Sequence, residues 1–275
     1  MKLSLAHTLR HYDKKNIGKD ILAGLIIMAV SIPISMGYAL IAGLPAVYGL
    51  YGSVFPILVF ALLSTSPQFI FGVDAAPAAL IGSALLTLHV EAGSEEAMAV
   101  VPVLTFFVAM WLLAFSFMKA GKLVNYISAP VMGGFITGIC STIILMQVPK
   151  ILGGTAGTGE FFELAKHIGQ TAKHVNMPSI LLGVASLVIL LVAKKLVPKF
   201  PMAVVLMVAG ACYTRVGNVR ELGIQTLSKV ETGLPQWQIP DFSSVSIREA
   251  VTLSLSVAVV IMAETLLAEN NFAQK

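Results

Sequence analysis

Charge is what this chain of 275 residues has least of. Asp, Glu, Lys and Arg make up 12% of it, about half of the roughly 25% in a soluble domain. From Ile21 to Val73 there is none, for 53 residues, whereas one membrane-crossing helix needs about 20 apolar residues. The run has room for two spans and the start of a third, which excludes an ordinary soluble domain. Cysteine is nearly as scarce. Cys140 and Cys212 lie in apolar stretches without a C-x-x-C or Cys/His spacing, so neither a disulfide framework nor a metal site is expected, and both read as packing residues. No P-loop, dinucleotide fingerprint or Ser/His/Asp set is present, and the five histidines lie in the leader or near loops. The expectation is no cofactor and no enzyme. The opening MKLSLAHTLRHYDKKNIGKD is polar and basic without a small-residue cleavage site, unlike a secretory signal, so residues 1–20 are expected to stay as a cytoplasmic leader.

Apolar residues fill the space that charge leaves: 57% are hydrophobic and the mean hydropathy is +0.87. The net charge of +4 gathers beside hydrophobic ends rather than on one patch, which argues against a nucleic-acid partner and for a lipid bilayer. Arg10, Lys14, Lys15 and Lys19 precede the first apolar run, while the loop with Glu91, Glu95 and Glu96 carries no Lys or Arg. Under the positive-inside rule that loop is external and the N-terminus cytoplasmic. The same rule gives eight spans, near 21–43, 46–64, 69–88, 98–118, 127–148, 175–193, 200–214 and 249–268. The seventh is short, with 15 uncharged residues between Lys199 and Arg215. Segments 149–174 and 215–248 mix charges with Gly and Pro and read as external loops with short amphipathic pieces.

The spans are expected to be broken. Pro33 sits inside the first, where it removes a backbone hydrogen bond and kinks the helix. In the third, Pro67 ends any preceding helix, Gln68 to Phe71 reads as a short extended run, and Gly72 precedes a new helix starting near Ala75. Extended backbone at membrane depth is tolerated only where protein pairs it or where it lines a cavity, and the N-termini of such broken helices bind anions.

Asp74 is the only carboxylate between Asp20 and Glu91. A charge at the bilayer centre costs at least about 2.5 kcal/mol, so intramembrane acids usually mark a substrate or proton path. Two roles stand side by side for it. Asp before Ala75-Ala76-Pro77 is good N-cap chemistry; a binding or coupling role is the other. Ionised, it would occupy the amides an anion wants, whereas desolvation favours the neutral acid. Glu264, in VVIMAETLLAEN, is the second intramembrane acid, and it either serves coupling or snorkels to the interface five residues on.

Four stretches resemble the SulP (sulfate permease) family of anion transporters: AGLPAVYGLYGSVFPILVFALLSTSPQFIFGVDAAPAAL (Ala42 to Leu80), YISAPVMGGFITGICSTIILMQVPKILGG (Tyr126 to Gly154), GLPQWQIP (Gly233 to Pro240) and MAETLLAENNFA (Met262 to Ala273). The resemblance implies an all-α integral membrane protein with discontinuous helices, the first part of a fourteen-span fold of two inverted seven-span repeats. Spans in 21–118 and 249–275 would form a core domain and those in 127–214 a gate, with 215–248 an external loop. Small inorganic anions, sulfate, bicarbonate or dicarboxylates, would bind at Gly72, Val73, Asp74, Ala75 and Ala76, near Tyr38, Pro33 and Ile34 of the first span and Glu264 of the eighth. Secondary transport by alternating access in the cell (inner) membrane follows, driven by protons, sodium ions or exchange. The chain departs from the pattern in three places. Ile34 stands where many members have Gln, Gly72-Val73-Asp74 where many have Gly-Pro, and the second repeat and a soluble STAS domain have no counterpart. A homodimer or a missing C-terminal half would complete the site. The alternatives are a non-transporting truncated fragment or scaffold and, more remotely, an intramembrane protease.

Overall fold

The computed structural model describes residues 12–64, 71–122, 129–155, 157, 161–197, 200–217, 219, 221–226, 233–235 and 239–273. Among them the regular structure is helical: α1 Ile17–Ile41, α2 Ala46–Leu63, α3 Ala75–Thr87, α4 Glu95–Phe117, α5 Ala129–Ile151, α6 Phe161–Thr171, α7 Met177–Leu196, α8 Met202–Val216 and α9 Ile247–Ala273, with a short 3₁₀ turn at Lys14–Asn16. Helices are the expected outcome, because hydrocarbon cannot hydrogen-bond a peptide and a helix satisfies each backbone group within one segment. Helices α1, α2, α4, α7 and α9 are long and apolar enough to cross a membrane; α3, α8 and the Cys140–Ile151 part of α5 are apolar but shorter. The protein is a multi-pass integral membrane protein.

Local signals set the helix ends. Ser94 caps α4, its hydroxyl accepting from the Ala97 N–H at 3.1 Å, and Glu95 and Glu96 occupy the positive first turn. Asn176 caps α7 through the Ser179 N–H at 2.8 Å, and Lys194 and Lys195 sit in its last turn. Both charge placements complement the helix dipole. Asp13 caps the 3₁₀ turn, accepting from the Lys15 N–H at 3.0 Å, and α1 follows directly at Ile17, before the apolar run starts. The third span divides as its sequence implies: Phe71 to Asp74 is non-helical and the helix opens at Ala75. Gln68 to Ile70, most of the expected extended run, lies outside the described residues.

The chain forms two compact units. The first comprises residues 35–140 and 231–275 with the N-terminal dozen. Its core runs along α3, α4 and α9, where Val100, Val103, Leu104 and Val108 are buried together with Ile81, Leu85, Ala250, Val257 and Ala258. Phe242 packs edge-on to Phe106 and Phe107, and the Trp111 indole N–H donates to the Val251 carbonyl at 3.1 Å. Leu266 lies beside Gly121, so α4 and α9 run in the same direction. Glycines let backbones touch: a Cβ on Gly49 would overlap the Ser35 carbonyl, and one on Gly82 the Ile41 carbonyl. Such small-residue contacts replace hydrophobic force between helices in lipid.

The second unit comprises residues 13–34 and 141–230. The Asn176 N–H donates to the Leu152 carbonyl at 2.9 Å and its side-chain amide to the Leu222 carbonyl at 2.8 Å, which closes the turn between α5 and α7 onto the segment after α8. Gly153 supplies the positive φ of +95° that this turn needs. The amphipathic piece expected within 149–174 is α6. Outward-facing Leu22, Leu25, Leu181, Leu187 and Leu191 are exposed on α1 and α7, as lipid-facing residues must be.

Gly49→Ala is expected to destabilise the protein by about 1–3 kcal/mol through overpacking, whereas Gly24→Ala, with open space around it, should not. Thermal unfolding of both variants in the same detergent checks the contrast.

Candidate functional site

Helix α3 is short, 13 residues, and its N-terminus opens within the first unit. Asp74 is its N-cap with extended backbone (φ −130°, ψ 152°), and its Oδ1 accepts from the Ala75 N–H at 2.6 Å. The Ala78 N–H returns to the Asp74 carbonyl at 3.3 Å, and Pro77 has no N–H to offer. Of the N–H groups at this end, the Asp74 carboxylate meets that of Ala75, and the Ala76 N–H has no partner among the described residues. The protein's own carboxylate thus answers one of the amides that could attract an anion.

This helix end faces a cavity of about 590 Å³ formed wholly within the first unit. Tyr38, Tyr48, Gly72, Val73, Asp74, Thr105, Glu264 and Thr265 line it, with Ile81, Val108, Val257 and Ile261 as apolar wall. Among the described lining residues there is no Lys, Arg or His. Glu264 of α9 lines the same cavity as Asp74 and interacts with it electrostatically, and its Oε2 is enclosed without a hydrogen-bond partner among the described residues. Tyr38 of α1 is close enough to feel the Asp74 charge. Two full negative charges in one largely apolar cavity repel each other more than they would in water. The arrangement is therefore one that a proton or a cation relieves.

The structure brings together Tyr38, Gly72, Val73, Asp74 and Glu264 from the sequence-based set. Ala75 is buried at 2% exposure and, like Ala76, does not line the cavity; both contribute backbone rather than side chain. Pro33 and Ile34 lie in the stretch of α1 that belongs to the second unit and are not among the lining residues. Tyr48, Thr105 and Thr265 were not expected. Thr265 neighbours Glu264 in sequence, and Thr105 lies between Val101 and Val108 on one face of α4, its hydroxyl donating to the Val101 carbonyl at 2.9 Å. A polar residue inside an otherwise apolar stripe was the available signal. Among the described residues no group of His, Cys, Asp and Glu is arranged to hold a metal ion.

Cap and charge separate by mutation. Asp74→Ala should cost about 1 kcal/mol of stability through loss of the cap, and Asp74→Asn, which still accepts a hydrogen bond, a few tenths. Thermal unfolding of the two variants in detergent reads the difference.

A model described as the sulfate permease family matches residues 17–275. A probable sulfate transporter of Mycobacterium tuberculosis is 28% identical over 267 residues, which is 97% of this chain and 47% of that protein. The structure of murine solute carrier 26 family member A9, an anion transporter in the inward-facing state, superimposes with a TM-score of 0.76 at 25% identity, covering 97% of this chain and 49% of that one. The transmembrane domain of the cyanobacterial bicarbonate transporter BicA gives a TM-score of 0.73 at 18% identity, covering 96% and 68%. The chain thus spans about half the length of the curated relatives it matches.

Proposed function

The chain belongs to the sulfate permease family, and from that membership we propose that it forms the cleft-bearing first part of a secondary transporter for small inorganic anions. Sulfate is the first candidate, because the mycobacterial relative is named for it; bicarbonate and small dicarboxylates follow. The observation that carries the reading is the cleft itself, in which the start of a broken helix, an acid at that start and a second acid on a distant helix converge. Residues 21–118 and 249–275 act as the core that holds the anion and residues 127–214 as the gate, in alternating access. The N-terminus is cytoplasmic in the cell membrane. A second copy or a C-terminal half supplies the facing wall.

The two acids account for coupling. With both ionised the cleft repels an anion; one proton shared between them removes a charge and frees α3's amides to face the substrate. Proton and anion binding then favour each other, and by linkage each raises the affinity for the other by the same factor. Sodium or an exchanging anion would serve the same balance of charge. Aspartyl proteases use a close pair of carboxyls sharing one proton, whereas this cleft holds one Asp and one Glu beside a broken helix, and the matched relatives are named as transporters.

Uptake of radiolabelled sulfate and bicarbonate into proteoliposomes tests the reading. A proton carried inward with the anion makes uptake rise as external pH falls, and Asp74→Asn should flatten that profile while leaving measurable flux. An unchanged profile in the mutant defeats the coupling role. If correctly inserted protein moves no anion at any pH, the second reading stands: a non-transporting fragment or scaffold.

A further inference from the structure

Between α5 and α7 the chain makes a detour that the cleft does not use. The Gly157 N–H donates to the Met146 carbonyl at 3.2 Å, and Met146 lies five residues before the end of α5, about 7–8 Å back along that helix at 1.5 Å per residue. The chain has therefore folded back along a membrane span before it enters α6, and Phe161 follows four residues later. Leu164 is fully buried over this contact, beside Gly157. His167 reaches the Thr155 carbonyl at 3.2 Å, and Thr171 closes on Gly154 where no side chain would fit. One stripe of α6 is thus committed to its own unit.

What remains of the helix is sorted by polarity. At about 100° per residue, Phe161, Ala165, Gly169 and Phe162 fall on one flank of the Leu164 stripe. Lys166, Gln170, Glu163 and His167 fall on the other. The apolar flank is left bare: Phe161 is 60% and Phe162 82% exposed, the two rings edge to face at 5.7 Å. A helix packed in water has no use for that division, since both of its flanks meet the same solvent. A helix lying at a membrane surface has one flank toward acyl chains and one toward headgroups, and basic residues on the polar flank suit lipid phosphates.

We propose that α6 is an interfacial helix that lies in the plane of the bilayer, with Phe161 and Phe162 seated among the acyl chains and Lys166 at the headgroup phosphates. Its partner is the lipid of the leaflet in which α5 ends and α7 begins. The helix would fix the depth of the second unit in the membrane by aromatic anchoring, in a place where the connection between spans could have been a plain loop.

The test is a depth measurement in the reconstituted full chain. In a background of Cys140→Ala and Cys212→Ala, nitroxide labels are placed through Phe162→Cys and, separately, Lys166→Cys. The protein is reconstituted in vesicles of phosphatidylethanolamine and phosphatidylglycerol, and electron paramagnetic resonance reads collision rates with oxygen and with a water-soluble nickel chelate. The ratio of oxygen to nickel collisions is expected to be several-fold higher at 162 than at 166, equivalent to a depth of about 5–10 Å below the headgroups. Equal ratios with free access of nickel at 162 would place the pair in water and overturn the proposal. Shielding of 162 from both reagents would mean that protein covers it, and overturns it equally. Phe161→Cys gives an independent reading on the same flank if the first variant does not reconstitute.

Discussion

Hydrocarbon offers a peptide group no hydrogen bond, and every feature of this protein answers to that deficiency. It makes the spans helical, it makes their ends matter more than their middles, and it removes the hydrophobic effect as a force between helices. Contact has to hold the first unit together instead. Backbones therefore meet at Gly49 and Gly82, aromatic rings interlock at Phe106, Phe107 and Phe242, and an indole N–H finds a carbonyl on another helix. In water such contacts would be secondary to burial; here they are the main source of specificity.

The same deficiency explains why a break in a helix becomes a site. A span that opens at Ala75 presents amides in a medium that cannot solvate them, and the protein meets one of them with Asp74. That solution introduces a charge, and no cation among the described lining residues offsets it. Glu264 increases the imbalance rather than relieving it. A site whose resting charge is wrong for an anion is a site that must exchange protons or ions in order to fill, so coupling in this reading comes from electrostatic necessity rather than from an added device.

Much of this was legible in the sequence, and the exceptions follow a rule. Eight apolar segments, the break before Ala75, the cap chemistry of Asp74 and the short seventh span each depend on residues within one or two turns, and the described helices fall on them. The convergence of Asp74 and Glu264 on one cavity does not, because six helices, α3 to α8, separate Asp74 from α9 and the two share a cavity only through packing. Resemblance to a family put both in one cleft; nothing in the spacing did. Tyr48 and Thr105 were missed for a related reason. Neither is itself a charge or a helix break, although Pro56 and Pro102 lie in the same helices, and only the neighbouring helix gives its face a meaning. Pro33 and Ile34 were placed at the cleft by the resemblance alone; they fall in the part of α1 that belongs to the second unit and are not among the residues lining the cavity.

The hydrogen bond from Trp111 to Val251 spans 140 residues of sequence. At a synthesis rate of about 5–20 residues per second, α4 waits roughly 7–30 seconds in the membrane before its partner helix is made, while residues 141–230 of the second unit are threaded in between. During that interval the α4 face that will meet α9, with its indole N–H unpaired, stands open to lipid and to whatever other chains are near. Assembly of the first unit is thus a matter of timing as well as of fit: its oldest helices must stay inserted and unclaimed until one of its youngest arrives.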